Sequence, residues 1–270
     1  MNLKGLKTYE HFGLRKDFLE HYFDQKSECF GAGVLGNRQY IALRQWLQDA
    51  ELLVINKKGD KSGVPSELFY KLEKLGTYHP LVWAILWTNL VHRSTICRWY
   101  ALYVSPGETF EKNDLILRLG DEYSESTRGN AVMALCETLR FSPIGATLKQ
   151  GIPLNITKTT FKYIKQGWES ADPIALLYSL YKLAEETGTY SFSLSRMCEQ
   201  CRSAEGKGVY PGDVFGISEE ALREMLQALA NEFEDYIRVS FVMNLDNVVL
   251  SPEIASLQIV DLATSASEKF

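Results

Sequence analysis

Histidine is scarce in this chain, with four among 270 residues. His11, His21, His79 and His92 are scattered, never at the spacing that a metal site or an HExxH helix requires. Phosphate-binding motifs are lacking too. No GxGxxG follows a strand, no GxxxxGK[ST] occurs, and "KGDKSG" is only a lysine–glycine turn. GxSxG is absent. These absences remove the motif-marked nucleotide, zinc-protease and hydrolase sites. They leave no catalytic constellation, and no cofactor is expected.

Cysteine is sparse and odd in number, at five, which does not make a disulfide framework. Reduced thiols in a cytoplasmic protein are the expectation. "CEQC", Cys198 to Cys201, is the one suggestive spacing. A structural zinc needs four ligands, commonly two such pairs, and Cys29, Cys97 and Cys136 are isolated. No metal is expected. Long hydrophobic runs are missing as well. The most apolar one, "PLVWAILWTNLV" at 80–91, is too short for a bilayer and reads as a buried helix. The first residues lack the apolar core and cleavage site of a signal peptide, so no membrane association is expected.

Net charge is -5, unevenly spread. Residues 1–105 carry 14 basic and 10 acidic side chains, a balance of +4, whereas residues 211–270 carry 3 and 11, a balance of -8. An anionic partner would therefore meet the N-terminal third.

Helical spacing begins near Leu14, with Phe18 and Tyr22 on the same face. After the glycine-rich "SECFGAGVLG", a helix is predicted from Arg38 to Glu51. It turns Tyr40, Leu43, Leu47 and Ala50 inward, with Trp46 on the shoulder and Arg38, Ala42, Gln45 and Asp49 opposite. "LLVI" then reads as a strand, "NKKGDKSG" as a turn, and Pro65 as the first position of the next helix. That order predicts a winged-helix-like domain. The middle is helical and aromatic. "ADPIALLYSLYKLAEETG" is the clearest helix, capped by Asp172, opened by Pro173 and closed by Gly188. Near the C-terminus, a helix capped by Ser218 precedes two strands in "YIRVSFVMNLDNVVLSP", which suggests a second winged helix whose glutamates would repel phosphate. The expected class is α+β and mainly α-helical, with winged-helix-like modules at both ends (1–78 and the end of 166–270) and a helical middle at 79–165.

Arg38, Arg44, Gln45, Lys57, Lys58 and Lys61 form the candidate binding set for duplex DNA or a protein partner. Arginine and glutamine can address base edges bidentately, while lysines neutralise phosphates. Asp49 and Glu51 disfavour phosphate near the helix end. Two other readings stand beside this one: an enzyme with a nucleotide-handling pocket in the helical middle, and a pure protein-interaction scaffold.

The stretches "EHFGLRKDFLEHYF", "LGNRQYIALRQWLQDAELL", "WAILWTNLV" and "WY" resemble a bacterial family found beside, or fused to, phosphoadenosine-phosphosulfate (PAPS) reductase-like proteins, including in DNA-phosphorothioation gene neighbourhoods. "STRGNAVMALCETLRFSPIG", "ALLYSLYKLAE", "YPGDVFGIS" and "VSFVMNLDNVVL" resemble the C-terminal region of long PAPS-reductase-like proteins. The SGGxDS loop and the four-cysteine iron–sulfur run of the enzymes are absent. The resemblance implies an accessory role beside a sulfur-activating enzyme, does not imply reductase activity for this chain, and carries over no catalytic residue.

Overall fold

The computed structural model describes residues 3–31, 33–56, 63–156, 161–202, 207–241 and 246–267. It divides into two units, Met1–Gly167 and Trp168–Phe270. Both are mostly helical with small antiparallel sheets. Lys57, Lys58 and Lys61, and with them the predicted basic loop, lie outside the described residues.

In the first unit, helix α1 (Lys16–Gln25) runs into a 3-10 helix (Lys26–Gly31), followed by α2 (Asn37–Asp49). Leu14 precedes α1 rather than starting it. Strands β1 (Leu53–Val54) and β2 (Val64–Pro65) pair antiparallel before α3 (Glu67–Glu73). This corrects two expectations. The strand in "LLVI" is two residues long, and Pro65 sits in β2, while Ser66 caps α3 by accepting the Phe69 backbone N–H.

Helix α4 (Pro80–Arg93) is the centre of this unit. Every residue from Leu81 to Val91 is buried, as a helix apolar all round requires. Trp83 donates its indole N–H to the Thr77 carbonyl at 2.8 Å, so the ring is buried without losing a hydrogen bond. Helix α5 (Thr95–Tyr103) starts at the Ser94 cap and ends on a buried cation: Lys165 donates to the carbonyls of Ala101 at 3.1 Å and Val104 at 2.8 Å. Strand β3 (Thr109–Glu111), helices α6 (Lys112–Arg118), α7 (Glu125–Phe141) and α8 (Pro143–Ala146), and strands β4 (Ile152–Ile156) and β5 (Phe161–Ile164) complete it, with sheet order β3-β5-β4.

Gly13 fixes the N-terminal segment onto α7. A β-carbon there would lie 2.4 Å from the Thr138 backbone nitrogen and 2.6 Å from the Ala134 carbonyl oxygen. The Leu14 N–H donates to Thr138 Oγ1 at 2.8 Å and the Gly13 N–H to Glu137 Oε2 at 3.1 Å. Only glycine permits that approach.

The second unit is built on α9 (Pro173–Thr187), whose residues Ala175–Ala184 are all buried. Asp172 accepts the N–H groups of Ile174 and Ala175, and Gly188 ends the helix in the left-handed conformation. Strand β6 (Ser191–Ser193) leads into α10 (Leu194–Arg202), then α11 (Pro211–Phe215) and α12 (Glu219–Glu232). Strands β7 (Ile237–Ser240) and β8 (Asn247–Leu250) join β6 in the order β6-β8-β7, and α13 (Ser256–Ser267) packs on α9. Val242 and Met243 of the expected first strand lie outside the described residues.

Candidate functional site

The exposed side of α2 meets the 3-10 helix in a groove of about 960 Å³. Phe30, Tyr40 and Ile41 supply its apolar surface, and Glu28, Asn37 and Arg44 its polar edge. Ile41 is 60% exposed and neighbouring Val34 68% exposed.

Tyr40 builds this groove. Its ring meets Phe30 edge-on at 6.3 Å, and Phe30 in turn meets Tyr22 at 6.2 Å. Its hydroxyl accepts the backbone N–H groups of Val34 and Leu35, both at 3.1 Å. Gly31, Gly33 and Gly36 spell GxGxxG here, yet they follow a 3-10 helix, and Tyr40 already occupies the two loop N–H groups that a phosphate cradle would offer.

Leu43, Trp46, Leu47 and Ala50 of α2 are fully buried. Ala42 is buried too, which corrects its expected place on the outer side, whereas Tyr40 is half-buried along the groove. Of the candidate set, Arg38 is exposed and makes no ion pair among the described residues. Arg44 is half-buried in the groove wall. Gln45 donates to Asp49 Oδ1 at 3.1 Å. Ile41 falls on this outward face between Arg38 and Arg44, and an apolar residue among polar ones was the signal available in the sequence.

The far end of α2 is anchored by a buried polar knot. Tyr9 stacks on Trp46 with centroids 3.6 Å apart, the Trp46 indole N–H donates to the Phe12 carbonyl at 2.8 Å, and the Tyr9 hydroxyl donates to Asp49. Burial pushes the Asp49 carboxyl above its ordinary range, while the bonds from Tyr9 and Gln45 pull it back. Burial, with the Asp49 charge beside it, raises the Tyr9 phenol well above 10.0. This knot positions α2, with Tyr9 and Trp46 buried and Asp49 half-buried.

Cys198 and Cys201 lie on α10, the first half-buried and the second buried. Burial raises the thiols of Cys29, Cys97, Cys136 and Cys198 above the ordinary 9.0, the opposite of what an activated nucleophile requires. Among the described residues no group of three or more His, Cys, Asp or Glu could hold a metal ion. None of their helices is long and apolar enough to cross a membrane.

These features define a mostly helical, two-unit protein with an apolar groove on its first unit. Two solved structures of SspB share the fold, one of them with magnesium ion bound. Both align with a TM-score of 0.67 over 95% of this chain and 86% of theirs, at 14% identity for the magnesium-bound structure and 16% for the other. No protein-family model and no curated protein sequence matches the chain.

Proposed function

We propose that this protein is a non-catalytic accessory module that docks a protein partner in the groove between the 3-10 helix and α2, and that the partner is a PAPS-reductase-like protein of a sulfur-transfer or DNA-modification system. The observation that carries docking is Ile41, a branched apolar side chain held 60% exposed at the lip of an aromatic-lined groove. Such a residue is a natural anchor, and the arginines on either side suit a partner surface with carboxylates. The sequence resemblance supplies the partner class. Isothermal titration of the full chain with a PAPS-reductase-like protein encoded beside it tests this: binding that Ile41→Asp abolishes supports it, and absence of binding by the unmodified chain refutes it.

A second reading, duplex DNA on the first unit as a winged-helix-like module, is favoured by a different observation. Helix α2 has no acidic residue in its first turn and carries the exposed Arg38 there, so its positive end faces solvent with a cation added. Lys57, Lys58 and Lys61 would neutralise the backbone. Salt-dependent anisotropy with a labelled duplex discriminates: a slope of roughly -2 to -3 in log–log form would mark contact by about three lysines.

A further inference from the structure

The sheet of the second unit ends on β6, and among the described residues no strand pairs with that edge. The Leu250 N–H donates to the Tyr190 carbonyl and the Leu194 N–H to the Asp246 carbonyl, each at 2.8 Å, and Phe192 faces Val248 between them. Antiparallel pairing alternates along a strand, so Tyr190, Phe192 and Leu194 direct their backbone groups to β8. The Ser191 N–H and C=O and the Ser193 N–H therefore point to the free side.

A cleft of about 340 Å³ adjoins that strand, lined by Ser191, Phe192 and Ser193 of β6, Arg196 and Met197 of α10, and Asn247 of β8. None of the described residues that line it is a carboxylate. Asp246, next to Asn247, accepts from Ser193 Oγ and Ser195 Oγ at 2.6 Å and from the Ser195 N–H at 2.8 Å, and faces Arg223 at 3.7 Å. Arg196 is exposed and forms no ion pair among the described residues.

We propose that this cleft takes an extended peptide segment as a fourth strand on β6, with a carboxylate of that segment held by Arg196. The edge supplies backbone donors and an acceptor, the arginine supplies the charge, and the absence of a lining acid makes the cleft complementary to an anion within an otherwise acidic unit. A three-residue edge offers only a few backbone hydrogen bonds, which restricts the site to short segments and modest affinity. The surface is separate from the α2 groove, and its test does not depend on the partner proposed there.

The probe is a fluorescein-labelled hexapeptide of alternating valine and threonine with a free C-terminal carboxylate, titrated against the full chain. Saturable binding below about 1 mM is expected. Amidating the probe or substituting Arg196→Gln should each weaken it about tenfold. N-methylation at alternate probe residues, which deletes strand donors and leaves the protein intact, should abolish binding in one phase and spare it in the other. No saturable binding, indifference to both N-methylated probes, equal binding of the Arg196→Gln chain, or equal competition by acetate would each overturn the proposal.

Discussion

The Tyr40 hydroxyl accepts the Val34 backbone N–H at 3.1 Å, and this bond holds an apolar side chain out in solvent at the groove's edge. Leu35 donates to the same oxygen. One phenol thus orders the glycine-rich loop and presents its only branched exposed residue among those described. Replacing Tyr40→Phe keeps the ring packing and deletes both bonds. Amide exchange at Val34 and Leu35 should accelerate, with stability lower by about 1 kcal/mol. Unchanged protection at both amides would show that the glycines, not Tyr40, set the loop.

Core packing gives a second expectation. Leu47 is fully buried on α2, so Leu47→Ala should cost roughly 2–5 kcal/mol in urea unfolding. Gly13→Ala acts in the opposite way, by overfilling. Its methyl group would press on backbone atoms of α7, which cannot swing aside as a side chain can, and a loss of about 1–3 kcal/mol should follow. A loss under about 0.5 kcal/mol in either variant would contradict the packing described.

Asp246 gives a pH dependence with a definite sign. Three hydrogen bonds hold its carboxyl at about 2, below the ordinary 3.8. The unfolded chain therefore takes up this proton first as pH falls, and stability is lost between pH 3.8 and about 2 while being fully present above that window. Urea midpoints for the second unit, followed across these pH values, should fall less steeply for Asp246→Asn. An identical slope in both proteins would mean that other carboxylates carry the whole effect.

Two substitutions, compared side by side, separate the two partner classes. The exposed Arg38 should weaken DNA binding and partner docking alike when changed to Glu, whereas Ile41→Asp should act mainly on docking. Anisotropy with a duplex, run beside a titration of the protein partner, reads both effects. A duplex affinity that neither the triple lysine-to-serine variant at 57, 58 and 61 nor Arg38→Glu alters would remove the DNA reading.

Local signals in the sequence are legible where they act over one turn. Asp172, Pro173 and Gly188 bracket α9 as their chemistry requires, and the apolar run at 80–91 is the buried α4. Longer-range relations were out of reach. Asp49 is drawn inward by Tyr9, 40 positions away, and no helical period reports that. Helical spacing places Ala42 outward, since alanine is neutral in a polarity pattern, yet it is 1% exposed. Pro65 has the fixed φ of a helix start and of an edge strand alike, and pairing with Leu53 decided between them. The groove has no periodic signature in the sequence, because half of it is a 3-10 helix with no amphipathic repeat. Its main clue, an isoleucine between two arginines, looks in isolation like an ordinary surface residue.

Docking in the groove is tested most directly by titrating the full chain with a PAPS-reductase-like protein, the proposed partner, in parallel with the Ile41→Asp chain, after circular dichroism has shown that both are equally folded. The groove predicts saturable one-to-one heat for the first, weakened at least tenfold for the second, as loss of a central apolar anchor implies. Equal affinity of the two chains would contradict it.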